Sequence, residues 1–351
     1  MNKPTKFSRP LWTKDFQRQR DLFWLDKNEI TLESAFIFNQ KIINKLQPID
    51  LSVYPDLGKT YIYLEKIFGI NEENSLFVNG ADGGIREVFI SLSDYYQAVI
   101  FDPTFAMISV YPNNLNNNFI QVNYEFVNNK LLIDKDKLFK ALSSTNKPPL
   151  LVIASPDSPT GNVLKIEELK QLLKTVESLG GILLFDGTYS LYKGYEYMLE
   201  VISIIKESSS ALFTTSFSKS PGLAGLRLGF LTGSINQINQ IRSIRPMYEI
   251  GAVQSKILEY VLNEWETCLE TIYEINQNKS NLEAILKDYG CKIIPTVGNF
   301  TLFKSNSVVE KALEDLCYYR KNFKCDCLKD LSRVSSPPNL FISKFKNLMS
   351  K

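Results

Sequence analysis

Residues 216 to 229 read Ser216-Phe217-Ser218-Lys219-Ser220-Pro221-Gly222-Leu223-Ala224-Gly225-Leu226-Arg227-Leu228-Gly229. One lysine, flanking hydroxyls and one arginine thus stand at fixed offsets in a turn-rich segment, with apolar runs before it (Ala211 to Thr215) and after it (Leu226 to Leu231). An ammonium held between buried strands is costly unless something pairs with it or uses it. Desolvation and nearby cations lower a lysine's pKa, and a lysine so tuned attacks aldehydes. Lys219 is therefore a candidate nucleophile, with Ser216 and Arg227 as candidate anion ligands. A solvated loop lysine has the same local sequence, so the decision rests on what else converges on it.

Four further segments place polar residues where apolar runs end, and ligands of open α/β sheets bind outside the carboxyl ends of strands. Asn79-Gly80-Ala81-Asp82-Gly83-Gly84 follows Ser75–Val78 and opens a helix, so its backbone N–H groups can approach an anion. Asp102-Pro103-Thr104-Phe105 offers an aromatic face for a planar ring. Ser155 to Asn162 carries two prolines, a glycine and small polar residues in one rigid turn. Asp186-Gly187-Thr188-Tyr189 puts a carboxylate directly after five apolar residues, where it has to be paired or used. Opposite a pyridine nitrogen, Asp186 would keep that nitrogen protonated and make the ring an electron sink. Each segment also has an ordinary structural reading: a helix cap, a core phenylalanine, a loop, a capping aspartate.

Composition removes other chemistries. The chain has 351 residues and no histidine, which excludes Ser-His-Asp and Cys-His catalysis and histidine metal ligands. Forty basic and 38 acidic residues leave +2, with no electrostatic footprint of nucleic-acid or membrane binding. No apolar run approaches the ~18 residues of a membrane span, and the amino terminus has no secretory pattern. The five cysteines are odd in number and gathered in the last third, which reads as reduced thiols in a cytoplasmic enzyme with no metal site.

The elements that must position these residues alternate. Short apolar runs at Ser75–Val78, Ala98–Phe101, Phe119–Val122, Leu150–Ala154, Gly181–Phe185, Leu212–Thr215 and Leu226–Leu231 are separated by helical-length segments such as Lys165–Glu177. Continuous apolar strands are those buried on both faces of a mostly parallel sheet, so an α/β doubly wound sheet of seven strands is expected. Residues 235–290 read as long helices broken near Arg245-Pro246, followed by strands in Cys291–Phe303 and Leu331–Ser335 and a closing helix at Leu340–Met349. The expected organisation is an amino-terminal arm (1–45) that joins a small domain, a large cofactor-binding domain (46–246) and a small α+β domain (247–351).

Taken together, these segments resemble the fold-type I pyridoxal-phosphate enzymes, within them the class I/II aminotransferases of the histidinol-phosphate aminotransferase-like branch. Leu25-Asp26-Lys27-Asn28-Glu29 resembles that branch's "LDxNE", Tyr54-Pro55-Asp56 its "YPD", and Asn79 to Asp82 its "GNGSDE" loop with Ala81 for serine. Phe105 falls at the ring-stacking position of "PTY", Ser155 to Gly161 resembles "NPNNPTG", and Asp186 with Tyr189 resembles "DEAY". Ser216 to Gly229 resembles "SFSKAFGLAGLRIG", and Leu331 to Ser335 falls at "LRITVG". The matches run in order over nearly the whole chain.

The resemblance implies pyridoxal 5'-phosphate bound through a Schiff base to Lys219, which then carries the proton during transfer. It implies Asp186 at the pyridine nitrogen, Phe105 stacked on the ring and Tyr189 at the phenolic oxygen. Ser216, Ser218, Arg227, Ala81 and Asp82 would hold the phosphate, together with Tyr54 from the neighbouring subunit of a homodimer. Asn28, Arg333 and, less regularly placed, Arg320 fall at substrate positions; a guanidinium suits a carboxylate or phosphate. Ser158 departs from the family's asparagine, so Asp157 or Asn162 is the expected substitute for its hydrogen bond to the phenolic oxygen. The activity implied is amino transfer between an amino acid or phosphorylated amino compound and a 2-oxo acid. A decarboxylase of a phosphorylated amino acid, resembling threonine-phosphate decarboxylase, is the alternative on the same scaffold, and a binding protein without turnover is another. A nucleotide-dependent oxidoreductase is disfavoured because no G-x-G-x-x-G fingerprint is present.

Overall fold

A computed structural model describes residues 18–19, 21–115, 117–248 and 250–350. The arm contributes a two-residue strand, β1 (Phe23–Trp24). The large sheet then takes β2 (Ser75–Val78), β3 (Gln97–Asp102), β4 (Ile120–Val127), β5 (Lys130–Ile133), β6 (Pro149–Ala154), β7 (Ile182–Asp186), β8 (Ala211–Ser216) and β9 (Gly229–Gly233). Their spatial order is β2-β9-β8-β7-β6-β3-β4-β5. Strands β4, β3, β6, β7 and β8 pair in parallel. Antiparallel β9 lies between β8 and β2.

All seven expected strands are present, and β5 is an eighth that the apolar-run criterion passes over. It pairs antiparallel with β4 at the sheet edge. There, Val122 and Tyr124 are buried while Gln121, Asn123 and Glu125 face water, an alternation proper to a half-covered edge rather than to a buried strand. Asn128 and Asn129 both have positive φ (50° and 63°), the requirement for the tight two-residue turn that joins the two strands.

Strands β6, β7 and β8 are buried at every residue. One face of the sheet packs Val78, Ile100, Val152 and Leu184 under the helix Gly80–Leu92. The other packs Phe101, Ile153, Phe185 and Phe213 with helices that include Ala252–Asn263. Because β2, β3, β6, β7 and β8 run the same way, they end on one edge, and there the register brings Ala154 beside Asp186 and Ser216 beside Gly229.

The helical region is interrupted twice, between Ile235–Arg242 and Ala252–Asn263 and again at Glu264 before Trp265–Asp288. The carboxyl-terminal part adds β10 (Lys292–Ile294), β11 (Phe300–Lys304), β12 (Cys317–Tyr318) and β13 (Ser332–Ser335). Strands β10, β11 and β13 form an antiparallel sheet, while β12 pairs in parallel with β1 of the arm. Leu25 from the arm joins Phe303, Val334, Phe341 and Phe345 in the core beneath the helix Asn339–Met349. Among the described residues no helix is long and apolar enough to cross a membrane.

The helix Gly80–Leu92 crosses β8 so closely that a Cβ on Gly84 would lie 2.1 Å from Thr214 Oγ1. That hydroxyl donates to Phe230 O at 3.2 Å, so it cannot turn away freely. Gly84→Ala is expected to cost about 1–3 kcal/mol by overpacking. A fall in the urea midpoint with an unchanged slope would show it; an unchanged midpoint would refute the close approach.

Candidate active site

The anion end of the site is built where β2 gives way to its helix. Asn79, the residue before Gly80–Leu92, makes no side-chain cap hydrogen bond, so the first N–H groups remain for a ligand. Arg227 sits between a short 3-10 turn (Ala224–Leu226) and β9, with a left-handed φ of 54°. Its guanidinium donates to Ser218 Oγ and to Asn79 O, each at 3.4 Å. Ser216 Oγ donates to Ser218 Oγ at 2.8 Å and accepts from Ser218 N at 3.0 Å. Two hydroxyls, a guanidinium and a helix amino terminus therefore meet at one point, a donor set suited to a phosphate. Asp82 lines the same cavity as Ala81, with its carboxylate accepting from Tyr111 Oη at 2.7 Å.

Asp186 ends β7 and is 4% exposed. Burial raises its pKa to about 6, opposed by Thr188 and reinforced by the charge of Asp82. Thr188 donates to it twice, from the backbone N–H at 3.0 Å and the hydroxyl at 2.6 Å. Phe105 lines the cavity with 38% of its surface exposed, a face open to a planar ligand.

Lys219 follows the turn after β8. Its Nζ donates to Lys27 O at 2.8 Å, and its own carbonyl accepts from Tyr192 Oη at 2.5 Å. Desolvation lowers its pKa to about 8; Glu29 opposes the shift, while Arg333, Arg227 and Arg18 add to it. Such an amine holds a far larger neutral fraction near neutral pH than an ordinary lysine, and it is the neutral form that acts as nucleophile and proton acceptor.

On the far side stand the substrate candidates. Asn28 is buried with φ 54°, and its Nδ2 donates to Tyr189 Oη at 2.8 Å and to Ser158 Oγ at 3.3 Å. Arg333, on β13, donates to Ser158 Oγ at 3.0 Å and Asp26 O at 2.7 Å, and lies 5.6 Å from the Phe300 ring centroid. Its Nε is buried without a partner. Desolvation holds its pKa down to about 10; Tyr189 and Asp26 oppose that, and Arg320 adds to it.

Lys219, Asp186, Tyr189, Ala81, Asp82, Phe105, Ser158, Ser216, Ser218, Arg227, Asn28 and Arg333 all line one cavity of about 260 Å³. Tyr54 and Arg320 lie outside it. Tyr54 is 76% exposed and stacks on Tyr248 with ring centroids 4.5 Å apart. Arg320 pairs with Arg333 only through the backbone, and its side chain is exposed. Neither expected substitute for the family asparagine takes that place. Asp157 is buried, accepting from Thr104 Oγ1 at 2.8 Å and Thr160 Oγ1 at 3.1 Å, with its pKa pushed by burial to about 7. Asn162 turns to Leu131 O at 2.6 Å. Instead, Asn28 bonds Tyr189 and Ser158 together. Two members of the site escaped the sequence reading. Thr188 carries a recognisable signal, since a threonine two residues after an aspartate suits a turn that bonds the carboxylate; the Lys27 carbonyl carries none.

The residues fit pyridoxal phosphate: an uncapped helix start, serines and an arginine for the phosphate, a buried acid, an exposed aromatic face and a desolvated lysine. Even the floor is cut to it, because a Cβ on Gly80 would come within 3.1 Å of the Arg227 guanidinium. Fold and site define a fold-type I pyridoxal-phosphate enzyme. The family described as aminotransferase class I and II matches residues 47–349, and the chain belongs to it. A histidinol-phosphate aminotransferase of Clostridium kluyveri is 29% identical over 319 residues, covering 89% of this chain and 87% of the relative. The crystal structure of histidinol-phosphate aminotransferase from Sinorhizobium meliloti in complex with pyridoxal-5'-phosphate has a TM-score of 0.79 at 16% identity, over 95% of this chain and 92% of that one. L-threonine-O-3-phosphate decarboxylase from Porphyromonas gingivalis shares the fold at a TM-score of 0.71 and 15% identity, over 94% of this chain and the whole of that one. The chain is thus a pyridoxal-phosphate-dependent aminotransferase, similar to the histidinol-phosphate enzymes.

Desolvation lowers the Lys219 pKa to about 8, and the Arg333 cation is among the charges that add to the shift. Arg333→Gln is therefore expected to raise the Lys219 midpoint toward the ordinary 10.5. Carbon NMR of reductively methylated enzyme, with the resonance assigned by its loss in Lys219→Ala, reads the shift. An unchanged or lower midpoint would contradict the electrostatic account.

Proposed function

We propose that this aminotransferase moves an amino group between a small amine bearing an anionic group, a phosphorylated amino alcohol such as histidinol phosphate, and a 2-oxo acid. The observation that carries this reading is Arg333. Its guanidinium is desolvated, faces the cavity and, among the described residues, forms no ion pair; its acceptors are a hydroxyl and a carbonyl. A buried cation lacking a carboxylate is a site for a ligand's anion.

Bound pyridoxal phosphate supplies an aldehyde that condenses with amines and a protonated ring that accepts the electron pair of an α-carbanion. Ser216, Ser218, Arg227 and the amide N–H groups of Ala81 and Asp82 hold the phosphate. Asp186 would face the ring nitrogen, and a pyridinium there would supply the positive partner that its buried carboxylate, raised to about 6 by desolvation, lacks. Phe105 covers one ring face. Tyr189, oriented by Asn28, donates to the phenolic oxygen. With the cofactor bound, Lys219 Nζ would be the base that takes the substrate α-proton and the acid that returns it on the far side of the imine nitrogen. Arg333 orients the substrate by its anionic end, with Asn28 and Ser158 completing that wall.

A homodimer follows from the same reading. Tyr54, stacked on Tyr248, is 76% exposed, and Leu51 and Met247, close by in sequence to this pair, are 81% and 83% exposed, apolar side chains that a second subunit would cover. We assign Tyr54 to the phosphate of the neighbouring subunit. A cytoplasmic location is supported by the five cysteines, all free.

Two experiments test the reading. Arg333→Gln should weaken a phosphorylated donor by roughly 2–5 kcal/mol in kcat/KM beyond the loss on an uncharged amine, which reports only the altered Lys219; half-reactions followed by cofactor absorbance measure both. Equal losses on the two donors would overturn the anion assignment, and carbon dioxide release without amino transfer would favour the decarboxylase. For the dimer, mixing inactive Lys219→Ala with Tyr54→Ala chains should restore about a quarter of wild-type activity, because half the dimers then hold one intact composite site. No recovery in a mixture shown to exchange subunits would remove Tyr54 from the neighbouring site.

A further inference from the structure

Lys279 has no place in the chemistry above, yet its side chain is only 11% exposed in the middle of the helix Trp265–Asp288. Its Nζ donates to Thr296 O at 2.6 Å, Thr296 Oγ1 at 3.0 Å and Gly298 O at 3.3 Å. These acceptors occupy all three donors of the ammonium. Glu283, one turn along the helix, lies 3.9 Å away and accepts from Thr301 Oγ1 at 3.2 Å. Burial pulls the Lys279 pKa down and Glu283 opposes it. Stability does not require such a cation, since an apolar side chain of similar volume is often as good in a core. The ammonium's distinctive effect is to fix the course of the segment between β10 and β11.

That segment and the first residue of β11 reach the parts of the substrate wall. Val297 N donates to Gly161 O at 2.9 Å, and a Cβ on Gly161 would sit 2.3 Å from Thr296 Cβ, so it abuts the turn that carries Ser158. Asn299 Nδ2 donates to the carbonyl of Asn28 at 3.0 Å. Phe300 meets the Tyr189 ring edge-on at 5.8 Å and lies beneath the Arg333 guanidinium.

We propose that Lys279 is a positioning residue for the substrate, pinning the 296–298 segment so that the Ser158 turn, Asn28 and Arg333 keep the spacing that receives the anionic end. The proposal rests on the assignment of Arg333 to that anion. Misplacing a binding wall by a fraction of a bond length is expensive even from a distance.

The holoenzyme variants Lys279→Met, Lys279→Arg and Thr296→Val test it, with Arg333→Gln alongside. Lys279→Met should raise KM for the phosphorylated donor by between about tenfold and about a hundredfold. Cofactor affinity and absorbance should stay within about twofold of wild type. Lys279→Arg should recover part of the loss, and Thr296→Val, which removes one Lys279 contact together with the hydroxyl's own bond to Phe300 O, should show a smaller rise in KM. A folded Lys279→Met enzyme with wild-type KM, or with KM and cofactor affinity impaired together, overturns the proposal. If Lys279→Met does not fold, Thr296→Val decides, and an unchanged KM overturns it. Should Arg333→Gln leave KM untouched, the anion assignment itself fails; a raised KM in Arg333→Gln beside a normal Lys279→Met removes only the positioning role.

Discussion

Everything in the site depends on holding cations where water is scarce. Lys219 and Arg333 share one cavity; desolvation lowers the pKa of both, and the charges of Arg333 and Arg227 lower that of Lys219 further. Glu29 is the carboxylate that pulls against this arrangement at Lys219, and it is engaged by Arg18, which also pairs with Asp26 at 2.6 Å. The balance leaves the lysine able to shed its proton and the arginine not. A lysine's point charge responds to burial, whereas a delocalised guanidinium keeps its proton.

The sheet makes that arrangement possible. Five strands running one way deliver Asn79, Asp102, Ala154, Asp186 and Ser216 to a single edge, while the buried interior of β6, β7 and β8 leaves them no freedom to drift. Phe185, which precedes Asp186 on β7, stacks on Phe213 of the neighbouring strand at 5.8 Å, and burial raises the pKa of the carboxylate at the end of β7. The small sheet then brings Arg333 from over a hundred residues further along the chain. Its register on β11, Leu302 against Arg333, sets how far the guanidinium reaches.

Much of this was legible in the sequence, for physical reasons. Doubly buried strands must be continuous apolar runs, so their ends could be read directly, and polar residues at those ends stand out because burial makes them costly. Asp186, Lys219 and Arg227 were visible in that way. Strand β5 was not, because an edge strand needs apolar residues on one face only. The helical break at Glu264 was not, since neither proline nor glycine marks it. The partnership of Asn28 with Ser158 spans 130 residues and that of Arg333 with Ser158 spans 175, and no local pattern encodes either. The reach of Asp157 toward Thr104 was equally hidden: a side chain's direction within a turn depends on the strand beside it.

The unpaired Arg333 has a consequence that begins before any contact is made. A cavity lined by Lys219, Arg227 and a desolvated guanidinium, whose low-dielectric walls focus the field through its opening, draws anions in from beyond touching distance. The cofactor arrives negatively charged, as would the anionic substrate proposed above, so traffic into this pocket would be sorted by sign first and by shape second. Encounter with anions is then faster in dilute buffer than in concentrated salt, where the field fades within about one Debye length, ~8 Å at physiological ionic strength. In this enzyme, selectivity is partly a matter of arrival.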